Sequence, residues 1–288
     1  MEPIAHGSLR AASLFSLVGR TALITGGGRG VGEMIARTFI QNGATVYIAS
    51  RSEATCVRTA AALTALGPGV CHALPAADVS TDAGARALAA ALAQREAALD
   101  IVVNNSGISW GAPLEAFPEE QWDRVFALNV KAPFLVTRAC RPLLAAAARR
   151  GVAEEGGGAP LALPSRVINI GSIVGLRPQP VPTYSYDASK AALHALTVKL
   201  SSELAPDTTV NALALGYVPT RMSRGLLHYG SAEQLAAAIP MRRFGGAGDV
   251  GGAALFLASR AGAWVTGTVL TVDGGTVAQP LTLMDSEV

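Results

Sequence analysis

Short runs of consecutive apolar and β-branched residues alternate with longer helical stretches along most of this chain. Such runs, unlike the alternating pattern of a half-exposed strand, are typical of strands that helices cover on both faces of a parallel sheet. The alternation predicts strand–helix–strand units with right-handed crossovers, and therefore an α/β, doubly wound fold. Strands are expected at 21–25, 45–49, 70–76, 100–103, 166–170, 209–214 and 269–272.

Composition narrows the classes of function that the chain can serve. It has 288 residues, of which half are hydrophobic and 15% are charged. A chain of this length and composition can bury a large core. The net charge is +2 and no run of Lys or Arg is longer than a pair, so no nucleic-acid partner is expected. No stretch of about 18 apolar residues is free of polar breaks, so no membrane partner is expected either.

Cysteine and histidine usage argues against disulfides and metal sites. Cys56, Cys71 and Cys140 are scattered and odd in number, which favours reduced thiols and a cytoplasmic protein. The four histidines show no metal-ligand spacing, so no metal is expected. Residues 1–16 are expected to be a flexible N-terminal extension, although their Ser/Ala-rich stretch leaves organelle targeting open.

A glycine cluster follows the first predicted strand and precedes a predicted helix, where residues 25–32 are TGGGRGVG. Glycines let the backbone turn tightly and approach a pyrophosphate, and the free N–H groups of a helix N-terminus attract anions. Gly26, Gly30 and Gly32 have the spacing GxxxGxG and not GxGxxG, and an ordinary turn is the alternative interpretation. The position of the cluster favours a dinucleotide site formed by Gly26, Gly28, Arg29, Gly30, Val31 and Gly32.

Charge at the end of the second predicted strand distinguishes NADP from NAD. NAD-binding proteins usually place an acidic residue there for the ribose hydroxyls, whereas this chain has Ser50 and Arg51. Arg29 supplies a second guanidinium from the glycine loop, and such groups suit a 2′-phosphate. The two arginines therefore predict NADP(H) as the cofactor, with solvated surface side chains as the alternative.

A Tyr-x-x-x-Lys pair lies in the predicted helix that follows strand 166–170. Tyr186 and Lys190 share a helix face, where an ammonium can lower the pKa of a phenol, ordinarily about 10. Ser172 follows the strand at the edge where doubly wound sheets bind ligands, and it can donate to the same substrate oxygen. Tyr186 is therefore the expected acid–base, since Tyr184 has no lysine four residues further on.

These motifs together resemble the short-chain dehydrogenases/reductases, roughly over residues 17–275. The family resemblance rests on TGGGRGVG at 25–32, Asp78, NNSG at 104–107, Asn129, Ser172, Tyr186, Lys190 and VDGG at 272–275. Within the family, the stretches 15–20, 106–113, 166–175, 189–197 and 219–225 are most similar to 3-oxoacyl-carrier-protein reductases, in particular the rhamnolipid-pathway type. The family resemblance implies a single Rossmann-type domain with a parallel seven-stranded sheet, in the order 3-2-1-4-5-6-7, and helices on both faces.

The resemblance also implies roles for individual residues. The catalytic tetrad would be Asn129, Ser172, Tyr186 and Lys190. Within it, Asn129 would hold a water of the proton relay, and Lys190 would lower the pKa of Tyr186 and hold the nicotinamide ribose. Adenine is expected beside Asp78 and Val79, and the nicotinamide carboxamide beside Thr220. The hydride would leave the B face of the nicotinamide, which carries the 4-pro-S hydrogen. Further cofactor-binding residues would be Ser50, Arg51, Asn105, Ser106, Gly107, Gly216 and Val218. The resemblance implies a homo-oligomer, tetramer or dimer, built through two long helices and the last strand.

Several segments depart from the family pattern or from the strand–helix rhythm. Residues 149–165, rich in glycine and proline, are expected to be a flexible insertion, and residues 217–245 a substrate lid. Residues 276–288 would form a C-terminal tail. Leu215 stands where the family usually has proline before Gly216, which puts the rigidity of the nicotinamide loop in doubt.

The expected activity is hydride transfer between NADPH and a small-molecule carbonyl or alcohol substrate, a ketone and possibly a 3-oxoacyl compound, with Tyr186 as acid–base. An NADP-dependent alcohol, polyol or steroid dehydrogenase is one alternative. A non-catalytic NADP-binding protein is another, against which the intact tetrad argues. His194, on the same predicted helix as Tyr186, is expected to serve packing or an interface.

Overall fold

Seven strands form the centre of the computed structural model, which describes residues 8–150 and 163–278, without the side chains of 226–228. The strands are β1 (Thr21–Thr25), β2 (Thr45–Ala49), β3 (Val70–Ala73), β4 (Ile101–Asn104), β5 (Ser165–Ile170), β6 (Thr208–Leu215) and β7 (Val269–Val272). All neighbouring strands pair in parallel, in the order β3-β2-β1-β4-β5-β6-β7. The predicted doubly wound sheet is confirmed.

Helices connect the strands and cover both faces of the sheet. They are α1 (Ala11–Leu14), α2 (Gly30–Gln41), α3 (Glu53–Thr64), α4 (Asp82–Ala93), α5 (Glu119–Phe126), α6 (Ala132–Arg150), α7 (Tyr184–Leu204), α8 (Ala232–Ala237) and α9 (Ala247–Ala258). A π-helical turn at Ala127–Lys131 joins α5 to α6. Further 3-10 turns lie at Leu114–Ala116, Ile173–Gly175, Ser223–His228 and Arg260–Gly262.

The central strands are apolar throughout because helices pack on both of their faces. Every residue of β1, β5 and β6 is buried. One apolar cluster lies between the sheet and helices α2, α3 and α9, and a second lies between the opposite face and helices α4 and α6. The edge strands β3 and β7 are only partly buried, as expected for strands with one neighbour.

Two element boundaries correct the predictions from sequence. β3 ends at Ala73, three residues before the predicted end, since Pro75 cannot donate to the ladder. The predicted insertion at 149–165 is too wide, because α6 continues to Arg150 and β5 begins at Ser165. Residues 151–162 lie outside the described residues.

The ends of the chain are described only in part. The predicted flexible extension is also too long, because α1 lies within it and Leu17 directly behind it is fully buried. Residues 1–7 and 279–288 lie outside the described residues, together with most of the predicted tail. In the parts of the chain that are described, no helix is long and apolar enough to cross a bilayer, and no group of three potential metal ligands comes together.

Candidate active site

Loops that follow three strands meet at the carboxyl edge of the sheet. Asn105, after β4, donates its side-chain amide to the backbone oxygens of Thr25 and Gly26, after β1, at 3.0 and 3.1 Å. Thr220, after β6, lies against Gly30, where a Cβ added to the glycine would be 3.5 Å from the threonine methyl group. Since parallel strands all end here, residues far apart in sequence share one cleft, the usual ligand position of such a sheet.

The glycine loop has the geometry of an anion cradle. Gly26 and Gly30 have positive φ angles of 66° and 59°, a conformation that favours glycine. A Cβ on Gly32 would lie 2.6 Å from the backbone oxygen of Gly26, so this approach of α2 to the loop needs glycine as well. No side chain caps the N-terminus of α2, so its first backbone N–H groups are available to an anion that binds beside Gly28 and Val31. The loop fits a pyrophosphate.

Two exposed arginines lie where the ribose of the cofactor is expected. Arg29 precedes the first turn of α2, and Arg51 follows β2. Asp78 accepts hydrogen bonds from the hydroxyl and the backbone N–H of Ser80, at 2.7 and 3.1 Å. These bonds, with the nearby Arg51 guanidinium, hold the pKa of the Asp78 carboxyl below its ordinary value, while the adjacent Val79 is buried. The two guanidiniums fit a phosphate on the ribose.

Three further residues predicted to bind the cofactor shape the surrounding loops. The Ser50 hydroxyl donates to a backbone oxygen in the turn after β2, at 3.1 Å. The backbone N–H of Ser106 donates to the Thr25 hydroxyl at 3.1 Å, which joins the loops after β4 and β1. Gly107 lies against the side-chain oxygen of Asn129, which a Cβ would approach to 3.2 Å.

The loop after β6 is anchored despite the leucine in place of proline. Leu215 is the last residue of β6, is buried, and pairs with Val272 of β7. The N–H of Gly216 then donates to the carbonyl of Val272 at 3.0 Å, and Val218 is buried in the core. The backbone N–H of Thr220 donates to a side-chain oxygen of the following 3-10 turn at 2.8 Å. Leu215 therefore extends the sheet to the start of this loop.

Ser172, Tyr186 and Lys190 come together where β5 ends beside α7. The Ser172 hydroxyl is close enough to the Tyr186 phenol to lower its pKa, and it also accepts from the N–H of Val174 at 3.4 Å. The buried ammonium of Lys190 donates to the carbonyl of Ile170 at 2.7 Å and lies 5.5 Å from the centre of the Tyr186 ring. Such an arrangement can hold one substrate oxygen between two hydroxyl donors and deliver a proton to it.

The pKa of Tyr186 differs from the expectation drawn from the Tyr-x-x-x-Lys pair. Burial of the phenol raises its pKa above the ordinary value, the hydrogen bond with Ser172 lowers it, and the Asp187 carboxylate raises it. Lys190 directs its ammonium to the carbonyl of Ile170. At neutral pH the phenol therefore holds its proton, which suits a group that donates a proton to substrate.

Asn129 lies in the π-helical turn between α5 and α6, and it is buried. Its side chain accepts from the N–H of Ile108 and donates to the carbonyl of the same residue, both at 2.9 Å. It also donates to the hydroxyl of Ser189 at 3.0 Å, and that hydroxyl donates to the carbonyl of Tyr186 at 2.7 Å. Asn129 thus ties the loop after β4 to the helix of Tyr186, at a kind of turn that is frequent in functional sites.

His194 lies beside the catalytic groups, on the same face of α7. It is one turn beyond Lys190 on α7 and is 6% exposed. Burial, and then the charge of Lys190, lower the pKa of its imidazole to about 4. Helical spacing alone places it on the face of Tyr186 and Lys190, but no sequence pattern distinguishes such a histidine from an ordinary packed one.

The low pKa of His194 predicts a loss of stability in mild acid. An unfolded histidine has a pKa of about 6.5, so between pH 6.5 and the folded value of about 4 the unfolded state binds more protons. The free energy of unfolding should therefore fall as the pH falls through this window, by about 2 kcal/mol between pH 7 and pH 5 for this one group. His194→Phe should remove that contribution in urea titrations at fixed protein concentration.

The matched control is Val198→Ala, which changes an exposed side chain without a titratable group four residues further along α7. It should leave the difference in unfolding free energy between pH 7 and pH 5 unchanged. An equal pH dependence in wild type and His194→Phe would show that His194 is not held neutral by the fold.

Large apolar side chains are exposed on the loops around the cleft. They come from the segments after β4, β5 and β6, and they are Trp110, Leu176, Met222, Tyr229 and Met241. Exposed apolar groups gathered beside a cleft with a few polar donors are typical of a site for an apolar ligand. Three of these residues lie in the segment 217–245. That this segment moves as a substrate lid stays a prediction.

Sequence comparisons place this chain beside known reductases and dehydrogenases. The family model described as enoyl-(acyl carrier protein) reductase matches residues 26–277. The rhamnolipids biosynthesis 3-oxoacyl-[acyl-carrier-protein] reductase of Pseudomonas aeruginosa is 44% identical over 263 residues, covering 91% of this chain and 97% of that protein. Galactitol 2-dehydrogenase (L-tagatose-forming) of Cereibacter sphaeroides is 37% identical, with coverage of 91% and 97%.

Solved structures with the same architecture include two cofactor complexes. The Pseudomonas aeruginosa RhlG/NADP active-site complex has a TM-score of 0.83 and 43% identity, over 92% of this chain and 98% of that one. A gluconate 5-dehydrogenase from Burkholderia cenocepacia, in complex with NADP and tartrate, has a TM-score of 0.83 and 31% identity, over 94% and 100%.

Proposed function

The chain belongs to the short-chain dehydrogenase/reductase family, and from that premise we propose that it reduces the 3-keto group of an acyl thioester with NADPH. It is an oxidoreductase that interconverts alcohols and carbonyls, and NADP(H) is its cofactor. The observation that carries the proposal is the convergence of the Ser172 and Tyr186 side chains beside the buried Lys190 ammonium, which lies 5.5 Å from the centre of the Tyr186 ring. A binding protein would have no need of two convergent hydroxyl donors.

Each side chain of the site has a task in the reduction of a ketone. Bound NADPH supplies the hydride that reaches the carbonyl carbon. Ser172 and Tyr186 hold the carbonyl oxygen, so that the negative charge developing there meets two O–H donors. Tyr186 then transfers its phenolic proton to that oxygen, which yields the alcohol. Lys190 stabilises the resulting phenolate, and Asn129 holds the helix of Tyr186 against the loop after β4.

The buried Lys190 predicts how the reaction depends on pH. Burial lowers the pKa of its ammonium to about 8, so the group is charged below that pH and neutral above it. Because the charged form stabilises the phenolate that proton transfer creates, kcat for ketone reduction should fall as the pH rises through about 8. A pH profile of kcat with saturating NADPH and ketone measures this fall in kcat.

Lys190→Arg is the matched variant for the pH profile, because a guanidinium stays charged throughout the range. It should lower kcat, because the guanidinium cannot take the position of the ammonium, but kcat should no longer fall as the pH rises through about 8. If kcat of Lys190→Arg still fell at about pH 8, the titrating group would have to be another residue.

The exposed apolar side chains around the cleft support an acyl substrate over a sugar or polyol. Trp110, Leu176 and Met222 offer apolar contacts from three different loops, and a polyol would have nothing to bond with on such surfaces. The similarity to a 3-oxoacyl-[acyl-carrier-protein] reductase supports the same class of substrate.

A substrate panel tests the acyl assignment. NADPH oxidation would be followed with 3-oxoacyl thioesters of increasing chain length, with cyclic ketones and with keto-sugars. The proposal predicts that kcat/KM rises with acyl length, about threefold to fourfold for each buried methylene. Faster turnover of keto-sugars, or the reverse oxidation of galactitol at a higher kcat/KM, would favour a polyol dehydrogenase.

We further propose that the chain forms a homo-oligomer in the cytoplasm. Trp264 is 99% exposed and precedes β7, whose outer edge has no partner strand among the described residues. An exposed tryptophan beside an open strand edge supports association between copies. The three free, buried cysteines are compatible with a reducing compartment. Light scattering should give a multiple of the chain mass that falls in Trp264→Glu, whereas a monomeric wild type would contradict the proposal.

A further inference from the structure

His194 lies at the back of the catalytic cluster and has no part in the mechanism above. Tyr186, Lys190 and His194 are spaced by four residues on α7 and so share one helix face. This face packs against the segment that leaves β5, which contains Ser172 and the 3-10 turn Ile173–Gly175. His194 therefore lies between the helix of the proton donor and the loop of the second hydroxyl.

Two glycines on either side of Ser172 make room for the imidazole ring. A Cβ on Gly171 would lie 2.3 Å from Nε2 of His194. A Cβ on Gly175 would lie 2.7 Å from the α7 backbone at Lys190 and Ala191, and 2.9 Å from Cε1 of His194. Real Cβ atoms do not approach other atoms this closely, so either alanine would displace the ring or the loop. The ring thus occupies the space that a side chain at position 171 would need, and it also borders Gly175.

The contacts of His194 are those of a space-filling group. Neither ring nitrogen has a hydrogen-bond partner in the described part of the chain, although both are buried. The one charged group that acts on the ring is Lys190, on the same helix, while the packed loop offers glycine backbone. The neutral imidazole therefore fills volume beside Lys190 without adding a second charge.

We propose that His194 is a positioning residue, whose ring holds the Ser172 loop at the distance from α7 at which Ser172 and Tyr186 share one substrate oxygen. The proposal rests on the ketoreductase function inferred above. It predicts that the volume of the ring matters and that its nitrogens do not. A shift of about 1 Å in a catalytic group can lower a rate by about 100-fold, so a small collapse of the loop should be visible in kcat.

Four variants test this proposal by kinetics, with active sites counted by NADPH binding so that unfolded protein does not contribute. His194→Ala empties the space and should lower kcat by about 10-fold to 100-fold with little change in NADPH affinity. His194→Phe fills the space without ring nitrogens and should keep kcat within about threefold of wild type. Gly171→Ala should lower kcat, and the double variant Gly171→Ala/His194→Ala should recover part of that loss.

A second readout keeps the test independent of turnover. The pKa of Tyr186 can be followed by NMR of protein labelled at the tyrosine ring carbon, with Tyr186→Phe assigning its signal among the five tyrosines. Since the hydrogen bond with Ser172 lowers the pKa of Tyr186, His194→Ala should move its titration to higher pH, and His194→Phe should not.

The possible failures can be told apart. Wild type that binds NADPH but reduces no ketone would overturn the proposed function, while the NMR titration would still decide the role of His194. A His194→Ala variant with wild-type kcat per NADPH site and an unmoved Tyr186 titration would show a purely structural residue. Equal losses in His194→Phe and His194→Ala would show that the ring nitrogens are needed.

Discussion

Tyr186→Phe is expected to lower kcat for ketone reduction by about 1000-fold while NADPH affinity changes by less than about threefold. The substitution removes one oxygen atom, and with it both the proton donor and one of the two hydroxyls that hold the substrate oxygen. General acid–base catalysis by a positioned side chain typically contributes about 100-fold to 10,000-fold, and a second donor is still present in Ser172. Single-turnover absorbance at saturating NADPH measures the chemical step.

Tyr184→Phe is the matched control, because Tyr184 lies two residues earlier on α7 with an exposed side chain. Two residues on a helix are about 200° apart, so Tyr184 points away from the face of Tyr186 and Lys190. It should keep wild-type kcat. If Tyr186→Phe retained more than a tenth of the wild-type rate, the proton would have to come from another group.

Arg51→Ala is expected to raise the Kd for NADPH by about 10-fold to 100-fold and to leave the Kd for NADH unchanged. A guanidinium that bonds to the 2′-phosphate makes charge-assisted hydrogen bonds that NADH cannot replace. Arg29→Ala should act in the same direction, and the double variant should lose most of the preference for NADPH. Fluorescence titration of wild type and the three variants with NADPH and with NADH measures these eight affinities.

Arg37→Ala serves as the control for net charge, since Arg37 is an exposed arginine further along α2. Its effect on NADPH affinity should be small and should vanish at high salt, because it acts only at a distance. If Arg51→Ala weakened the binding of NADH and of NADPH equally, Arg51 would support the loop after β2 and would not bind the 2′-phosphate.

The architecture was predictable because its signals are local and repeated. Each buried strand is a short apolar run, and the glycines of the phosphate loop stand where positive φ angles and close approaches require them. Tyr186 and Lys190 could be paired by helical spacing alone. The sequence also indicated the approximate place of Ser172, since the carboxyl ends of parallel strands bind ligands.

What sequence could not predict depends on burial and on the direction of side chains. Helical spacing predicts that Lys190 and Tyr186 share a helix face, but it cannot show that the ammonium also bonds to the carbonyl of Ile170 or that burial raises the pKa of the phenol. The sequence also predicts His194 as a packing or interface residue, but it does not show what the ring packs against. Its closeness to Gly171 depends on how the loop after β5 folds back onto α7, which no short-range pattern encodes.

The most direct test of the account is the fate of the hydride. Reduction of the preferred ketone with NADPH deuterated at the 4-pro-S position of the nicotinamide should give an alcohol with one deuterium on the carbinol carbon. The resemblance to the short-chain reductases implies this face, and NADPH deuterated at the 4-pro-R position should give an unlabelled alcohol. Mass spectrometry of the product decides between these results. A product without deuterium from either cofactor, or tight NADPH binding with no product, would contradict the assignment of the chain as a ketoreductase.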